Sequence, residues 1–214
     1  MLVYFDIPSL LRFPVSPLFP SGMGEFIFVI SYFIWFYFDI INQVFATFRN
    51  RNAKVSIKND KFSIVAIYIG YIAILYTVGW LGGLRVSTGF GGMPVWTFYL
   101  GLAVLFLGIF MRLWSEYTLG RFFTYPVMVL KGHRLVRRGP YRYIRHPSYL
   151  GGLLIVMAFG FVVRSWIGVV AAAGIILLAY SYRIYLEESA LRRNFGKEYE
   201  NYARKTKMLI PNIL

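Results

Sequence analysis

The run FSIVAIYIGYIAILYTVGWLGGL, residues 62–84, contains no charged side chain and ends on Gly82 and Gly83, which favour a turn. Wound as a helix at about 1.5 Å per residue, it is long enough to cross a bilayer hydrocarbon core of about 30 Å. A second apolar run, Phe26 to Phe48, precedes it and is interrupted by Asp39, Asn42 and Gln43. A carboxylate facing lipid is expensive, so the polar face of this span is expected to turn toward other helices. Downstream, Val95 to Trp114 forms a third run, with Arg112 placed near its end to snorkel. Tyr149 to Val163 and Trp166 to Leu186 are separated only by Arg164 and Ser165, which predicts a tight helical hairpin. Tyr149 to Val163 is short for a full span. The sequence therefore predicts an all-α integral membrane protein of about five transmembrane helices.

Composition agrees with that reading. The 214 residues are 58% hydrophobic and 20% aromatic, with only 15% charged, more apolar surface than one water-soluble core can hide. The formal charge of +14 does not point to nucleic acid, because long apolar runs make Lys and Arg the markers of helix ends that meet anionic lipid head groups. The expected partners are membrane lipids and a lipophilic substrate, with no nucleic acid. Oligomeric state is not written in the sequence. Without cysteine, disulfides, thiolate metal sites and cysteine nucleophiles are excluded by inventory.

Organisation follows in three parts: an irregular surface segment over residues 1–25, three transmembrane helices over 26–114, and a chemistry-bearing region over 115–214. The first part carries Pro8, Pro14, Pro17 and Pro20 and does not read as a cleavable signal peptide. Basic residues are concentrated between the first two spans (Arg49 to Lys61), before the hairpin (Arg121 to Arg145) and in the tail (Arg192 to Lys207), whereas the opposite loops carry Arg12, Arg85 and Arg164. That bias predicts the N-terminus outside and the C-terminus in the cytosol, in a prokaryotic plasma membrane or the endoplasmic reticulum. Both long polar regions, Ser115 to Ser148 and Glu187 to Leu214, then emerge on one side and can enclose a single site.

The chemistry is concentrated in GHRLVRRGPYRYIRHPSYLGG, Gly132 to Gly152, which holds both histidines of the protein. Gly139 before Pro140 forces a turn, and Pro147 after His146 suits the first turn of a helix, where its missing donor costs little. A second element is Arg183 with Glu187 and Glu188. Arg183 and Glu187, four apart, share a helix face, while Glu188 points roughly 100° away from Glu187. His133 and His146 have no cysteine and no pair of acids in the same loop, so no metal site is expected. Tyr141, Tyr143 and Tyr149 suit either the site or an interfacial aromatic belt.

GHRLV, GPYRYIRHPSY, the Arg183 to Glu188 stretch and the closing FGKEYENYARKTKMLIP together resemble the isoprenylcysteine carboxyl methyltransferase and phospholipid methyltransferase superfamily, over about Leu119 to Pro211. The resemblance implies a helical membrane enzyme that takes S-adenosyl-L-methionine in a cytosolic pocket built from the loop and tail. It implies cofactor contacts from His133, Arg134, Leu135 and Val136, and further ones from Tyr141, His146, Pro147, Ser148 and Tyr149. Arg183 matches a substrate-binding arginine, Glu187 a cofactor-binding acid, and Glu188 completes a di-acid; Arg183 and Glu187 are the expected catalytic residues. The carboxyl methyltransferases have a glutamine upstream of the histidine motif where this chain has Pro126 or its neighbours. The N-terminal half carries no matching motif.

Methyl transfer from a sulfonium is an in-line displacement, so the protein must align nucleophile and methyl and exclude water. A carboxylate acceptor is already ionised, and an arginine can orient it through a bidentate pair. An amine acceptor needs a proton taken away, for which Glu187 or Glu188 is suited. The leading expectation is O-methylation of a prenylated cysteine or similar small lipophilic acid. Phosphatidylethanolamine N-methylation, an NADPH-dependent membrane sterol reductase-like activity and a catalytically silent lipid-binding protein are the alternatives.

Overall fold

A computed structural model describes residues 22–49, 60–124, 132 and 134–209. Five long helices carry the chain: α1 Gly22–Arg49, α2 Asp60–Thr88, α3 Trp96–Leu119, α4 Pro147–Val162 and α5 Trp166–Phe195. A short tail helix, α6 Lys197–Lys205, follows, and 3-10 turns lie at Gly120–Phe122 and Gly139–Arg142. Among the described residues there is no strand, only isolated bridges between Gly92 and Ser165 and between Ile144 and Lys207. The protein is an all-α integral membrane protein: α1, α2, α3 and α5 are long and apolar enough to cross a bilayer, and α4 is a shorter apolar helix.

Helices α4 and α5 make the expected hairpin. Its connection is three residues long, with Arg164 at φ 58°, and Ser165 Oγ caps α5 by accepting from Gly168 N at 3.1 Å. The turn is stitched to the α2–α3 loop, where Met93 N donates to Arg164 O at 2.9 Å and Trp166 N to Gly91 O at 3.1 Å. With 16 residues α4 spans only about 24 Å, whereas the 30 residues of α5 span about 45 Å. The end of α5 that carries Arg183, Glu187 and Glu188 therefore extends past the end of its shorter partner.

Small residues set the spacing around α4. A Cβ on Gly108 of α3 would lie 2.8 Å from Gly151 O, and one on Gly151 would lie 2.8 Å from Arg112 N, so the α3 and α4 backbones cross almost in contact. Behind this crossing, Ile155, Val156, Val162, Leu105, Phe98, Ile176, Ile74 and Val78 are fully buried and form the core shared by α2, α3, α4 and α5.

In α1, Asp39 is buried and faces inward, as the cost of a lipid-facing carboxylate requires. Its partner differs from the sequence expectation. Arg112 does not snorkel but is buried, with Nε 2.7 Å from Asp39 Oδ1 and 3.4 Å from Glu116 Oε1. An acid on α1 and another one turn further along α3 give the guanidinium a better environment than the head-group region would.

Candidate active site

Two backbone features bring the loop before α4 and the C-terminal tail together. Gly139, at φ 56°, starts the 3-10 turn, and a Cβ there would meet Thr118 Oγ1 at 2.9 Å, so the loop can lie directly on the end of α3 only because this residue is glycine. Beyond α6 the tail runs beside the loop: Lys207 N donates to Tyr143 O, Arg145 N to Lys207 O and His146 N to Met208 O, at 2.8 to 3.1 Å. The two polar regions thus share one face of the molecule, as their basic character suggested.

Side chains lock this junction. Glu188 Oε1 accepts from Arg145 Nε at 2.8 Å and lies 3.3 Å from His146 Nε2, while Oε2 accepts from Arg192 Nη2 at 3.2 Å. Arg145 Nη1 also donates to Ala203 O at 3.0 Å and Thr206 O at 2.6 Å. Tyr202 donates to Tyr141 O at 2.8 Å, and Arg137 pairs with Glu198 at 2.8 Å on the outside. Burial pushes the Tyr202 phenol up to about 12 and that of Tyr141 well above its ordinary range, so both stay neutral.

Beneath the junction lies a cavity of about 1280 Å³ of empty space, its mouth included. Its walls come from every long helix, with Tyr199 and Tyr202 of α6 closing one side. Inside it, Arg183 Nε donates to the Tyr149 hydroxyl at 3.1 Å, and that hydroxyl donates to Glu187 Oε2 at 2.9 Å. Arg183 Nη1 donates to Ser63 Oγ on α2 at 2.9 Å. A cation, a phenol and a carboxylate are therefore joined on one wall of the cavity. Glu187 and Glu188 face apart as helical spacing requires, the first into the cavity and the second into the junction.

The other sequence candidates divide between wall and scaffold. Leu135, Val136, Tyr141, His146, Ser148, Tyr149, Arg183 and Glu187 line the cavity. Ser148 Oγ accepts from Arg112 Nη1 at 3.3 Å, which fixes the first turn of α4. Pro147 occupies the first helical position and is buried, Glu188 belongs to the junction, and Arg134 is exposed; none of the three is among the lining residues. His133 and the stretch around Pro126 lie outside the described residues. Tyr143 is 63% exposed, whereas Tyr141 and Tyr149 belong to the site.

Sequence reasoning missed Arg145, Tyr199, Tyr202, Asp39, Arg112, Ser63, Tyr71 and Tyr180, all on or beside the cavity. Arg145 counted only as a basic residue, although its place next to His146 was a signal. Tyr199 and Tyr202 stand three apart in a tail helix, a spacing that puts two aromatics on one face.

This arrangement has relatives. Residues 96–198 match the phospholipid methyltransferase family. A probable protein-S-isoprenylcysteine O-methyltransferase of Oryza sativa subsp. indica is 34% identical over 117 residues, covering 54% of this chain and 61% of that protein. Protein-S-isoprenylcysteine O-methyltransferase B of Arabidopsis thaliana is 31% identical over 120 residues, or 55% and 61% of the two chains. The structure of a eukaryotic intramembrane Ras methyltransferase, isoprenylcysteine carboxyl methyltransferase, superposes with a TM-score of 0.60 over 95% of this chain and 70% of that one, at 21% identity. The family match covers just under half of this chain, and its C-terminal part is similar to both the phospholipid methyltransferases and the isoprenylcysteine O-methyltransferases. The chain spans about three fifths of the length of these plant relatives. Within the family match fall Arg112, the whole of α4 and Arg183 to Glu188, whereas Asp39, Ser63 and Tyr71 come from α1 and α2, before it.

Proposed function

We propose that this protein transfers a methyl group from S-adenosyl-L-methionine to the carboxylate of a prenylated cysteine or a similar small lipophilic acid. The reaction takes place at the cytosolic face of the endoplasmic reticulum or of a prokaryotic plasma membrane, with the N-terminus outside. The observation that carries the reading is the Arg183–Tyr149–Glu187 chain within a single cavity. It is supported by the names of the plant relatives and by the family match.

The residues present fit such a cofactor. Among the described residues, Glu187 receives only the Tyr149 hydroxyl, which leaves Oε1 for the hydroxyl or ammonium donors of a ligand. Leu135, Val136, Tyr141, Tyr199 and Tyr202 give apolar and aromatic surface for a purine. S-adenosyl-L-methionine, when bound, supplies an electrophilic methyl on a cationic sulfur.

The chain's own residues do the rest. Arg183, already oriented by Ser63 and Tyr149, holds and orients an ionised carboxylate, so no base is required. The Tyr149 hydroxyl keeps Arg183 and Glu187 in register, which sets the acceptor relative to the donor site. The Glu188 junction closes the tail over the cavity and excludes water. The test is incubation of the purified protein with methyl-labelled S-adenosyl-L-methionine and N-acetyl-S-farnesylcysteine. A base-labile labelled ester is expected; cofactor binding without any ester overturns the reading.

A second reading, N-methylation of phosphatidylethanolamine, is favoured by the family that matches residues 96–198. Glu187 then takes the amine proton. Base-stable label in lipid, rather than ester, is its signature in the same experiment.

A further inference from the structure

Inward from Arg183 the cavity has a second polar feature. Tyr180 stands three residues before Arg183 on the same face of α5, about 4.5 Å of helix rise away. Its hydroxyl lies 2.9 Å from that of Tyr71 on α2, and both residues line the cavity while being almost fully buried. The Tyr180 ring also packs on that of Tyr149, at 4.9 Å between centroids, so the pair adjoins the Arg183–Tyr149–Glu187 wall.

Counting hydrogens makes the pair informative. Each phenol carries one proton, and the mutual bond uses one of the two. For the second, no acceptor is present among the described residues. A buried hydroxyl proton with no acceptor is costly, and more so where neither water nor lipid offers one. Room for the Tyr180 hydroxyl is kept by Gly152, where a Cβ would collide with it.

We propose that the Tyr71–Tyr180 pair is a specificity subsite that donates a hydrogen bond to a carbonyl oxygen next to the acceptor's carboxylate, so that the enzyme prefers N-acylated prenylcysteines. The inference rests on the reading that Arg183 holds that carboxylate. In an N-acylated amino acid the amide carbonyl is only a few bonds from the carboxylate, which matches the one-turn offset between Tyr180 and Arg183. An acid with the same prenyl thioether but no acylamino group cannot use the donor.

The test compares N-acetyl-S-farnesylcysteine with S-farnesyl-3-thiopropionic acid, using the full chain in lipid nanodiscs. The wild type is expected to favour the first. In Tyr71→Phe/Tyr180→Phe its kcat/KM falls about tenfold, the size of one well-placed neutral hydrogen bond, while that for the thiopropionate stays within about twofold. Each single Phe variant, which leaves one donor in place, loses less and keeps the assay decisive if the double variant folds poorly. Equal losses on both acids, no loss on either, or no preference in the wild type overturns the subsite. If the wild type esterifies neither acid, the carboxyl methyltransferase reading itself falls and takes the subsite with it.

Discussion

Asp39 and Arg112, seventy-three residues apart in sequence, form a buried ion pair that joins α1 to α3 beside the start of α4. The guanidinium also reaches Glu116 and, through Nη1, Ser148, so one side chain ties three helices together. Removing the cation leaves two acids facing each other in a low-dielectric interior. Arg112→Ala is expected to destabilise the protein by about 3–5 kcal/mol, the usual cost of orphaning a buried charge. Asp39→Asn should cost clearly less, because Glu116 still faces the arginine. Thermal unfolding in detergent separates the two, and equal losses would deny Arg112 its central place.

The junction between loop and tail depends on Glu188, which gathers Arg145, His146 and Arg192 around one carboxylate. Glu188→Gln keeps the shape and removes the charge. Amide hydrogen exchange at Lys207, Arg145 and His146, whose N–H groups donate across the junction between tail and loop, should then speed up severalfold. Glu187→Gln, on the other face of α5, should leave this exchange unchanged and remove activity. Exchange that rises equally in both variants would show that the two acids do not divide the work.

A division of labour is also expected between Arg183 and His146. Arg183→Ala should raise KM for the acceptor at least tenfold with little change in cofactor affinity, if the arginine holds the acceptor as proposed, because a charged hydrogen bond contributes about 1.5–3 kcal/mol. His146→Ala should weaken cofactor binding instead, because His146 supports the junction that covers the cavity. Calorimetric titration with S-adenosyl-L-methionine and steady-state kinetics decide it, and matching behaviour of the two variants refutes the assignment.

These variants also mark how far the sequence could be read. The apolar runs located the long helices because hydropathy is a local property. The opposed directions of Glu187 and Glu188 followed from helical geometry alone. Pairing Asp39 with Arg112 was beyond reach: an arginine near the end of an apolar run ordinarily snorkels, and its buried partner lies on a helix that no motif connects to it. Arg145, Tyr199 and Tyr202 carried only weak local signals for a related reason, since their contacts arise only when the tail folds back against the loop.

Tail docking should also depend on pH in a stated direction. The Tyr202 phenol, whose bond to Tyr141 O holds α6 against the loop, is raised by burial to about 12 in the folded protein, against about 10 unfolded. The folded state therefore holds the proton more tightly. Its contribution to stability is complete below about pH 10 and declines as pH rises toward 12. Absorbance of tyrosinate near 295 nm, compared between wild type and Tyr202→Phe, should show the missing phenol titrating only above pH 11. A difference already complete at pH 10 would mean that Tyr202 is not held in this environment.

Topology offers the last test, made simple by a chain that contains no cysteine. Arg138 and Lys205 are exposed residues of the loop and tail, and Ser87 is exposed at the far end of α2. Single cysteines there should divide cleanly with a membrane-impermeant maleimide: Arg138→Cys and Lys205→Cys react only from the cytosolic side, and Ser87→Cys only from the other. The basic residues of loop and tail share the face at which the cavity is covered, and positive charge is retained in the cytosol. Since loop and tail are bonded to each other, Arg138→Cys and Lys205→Cys must also label from the same side as one another. Labelling from opposite sides would contradict the junction itself, whereas a common reversal would invert only the orientation.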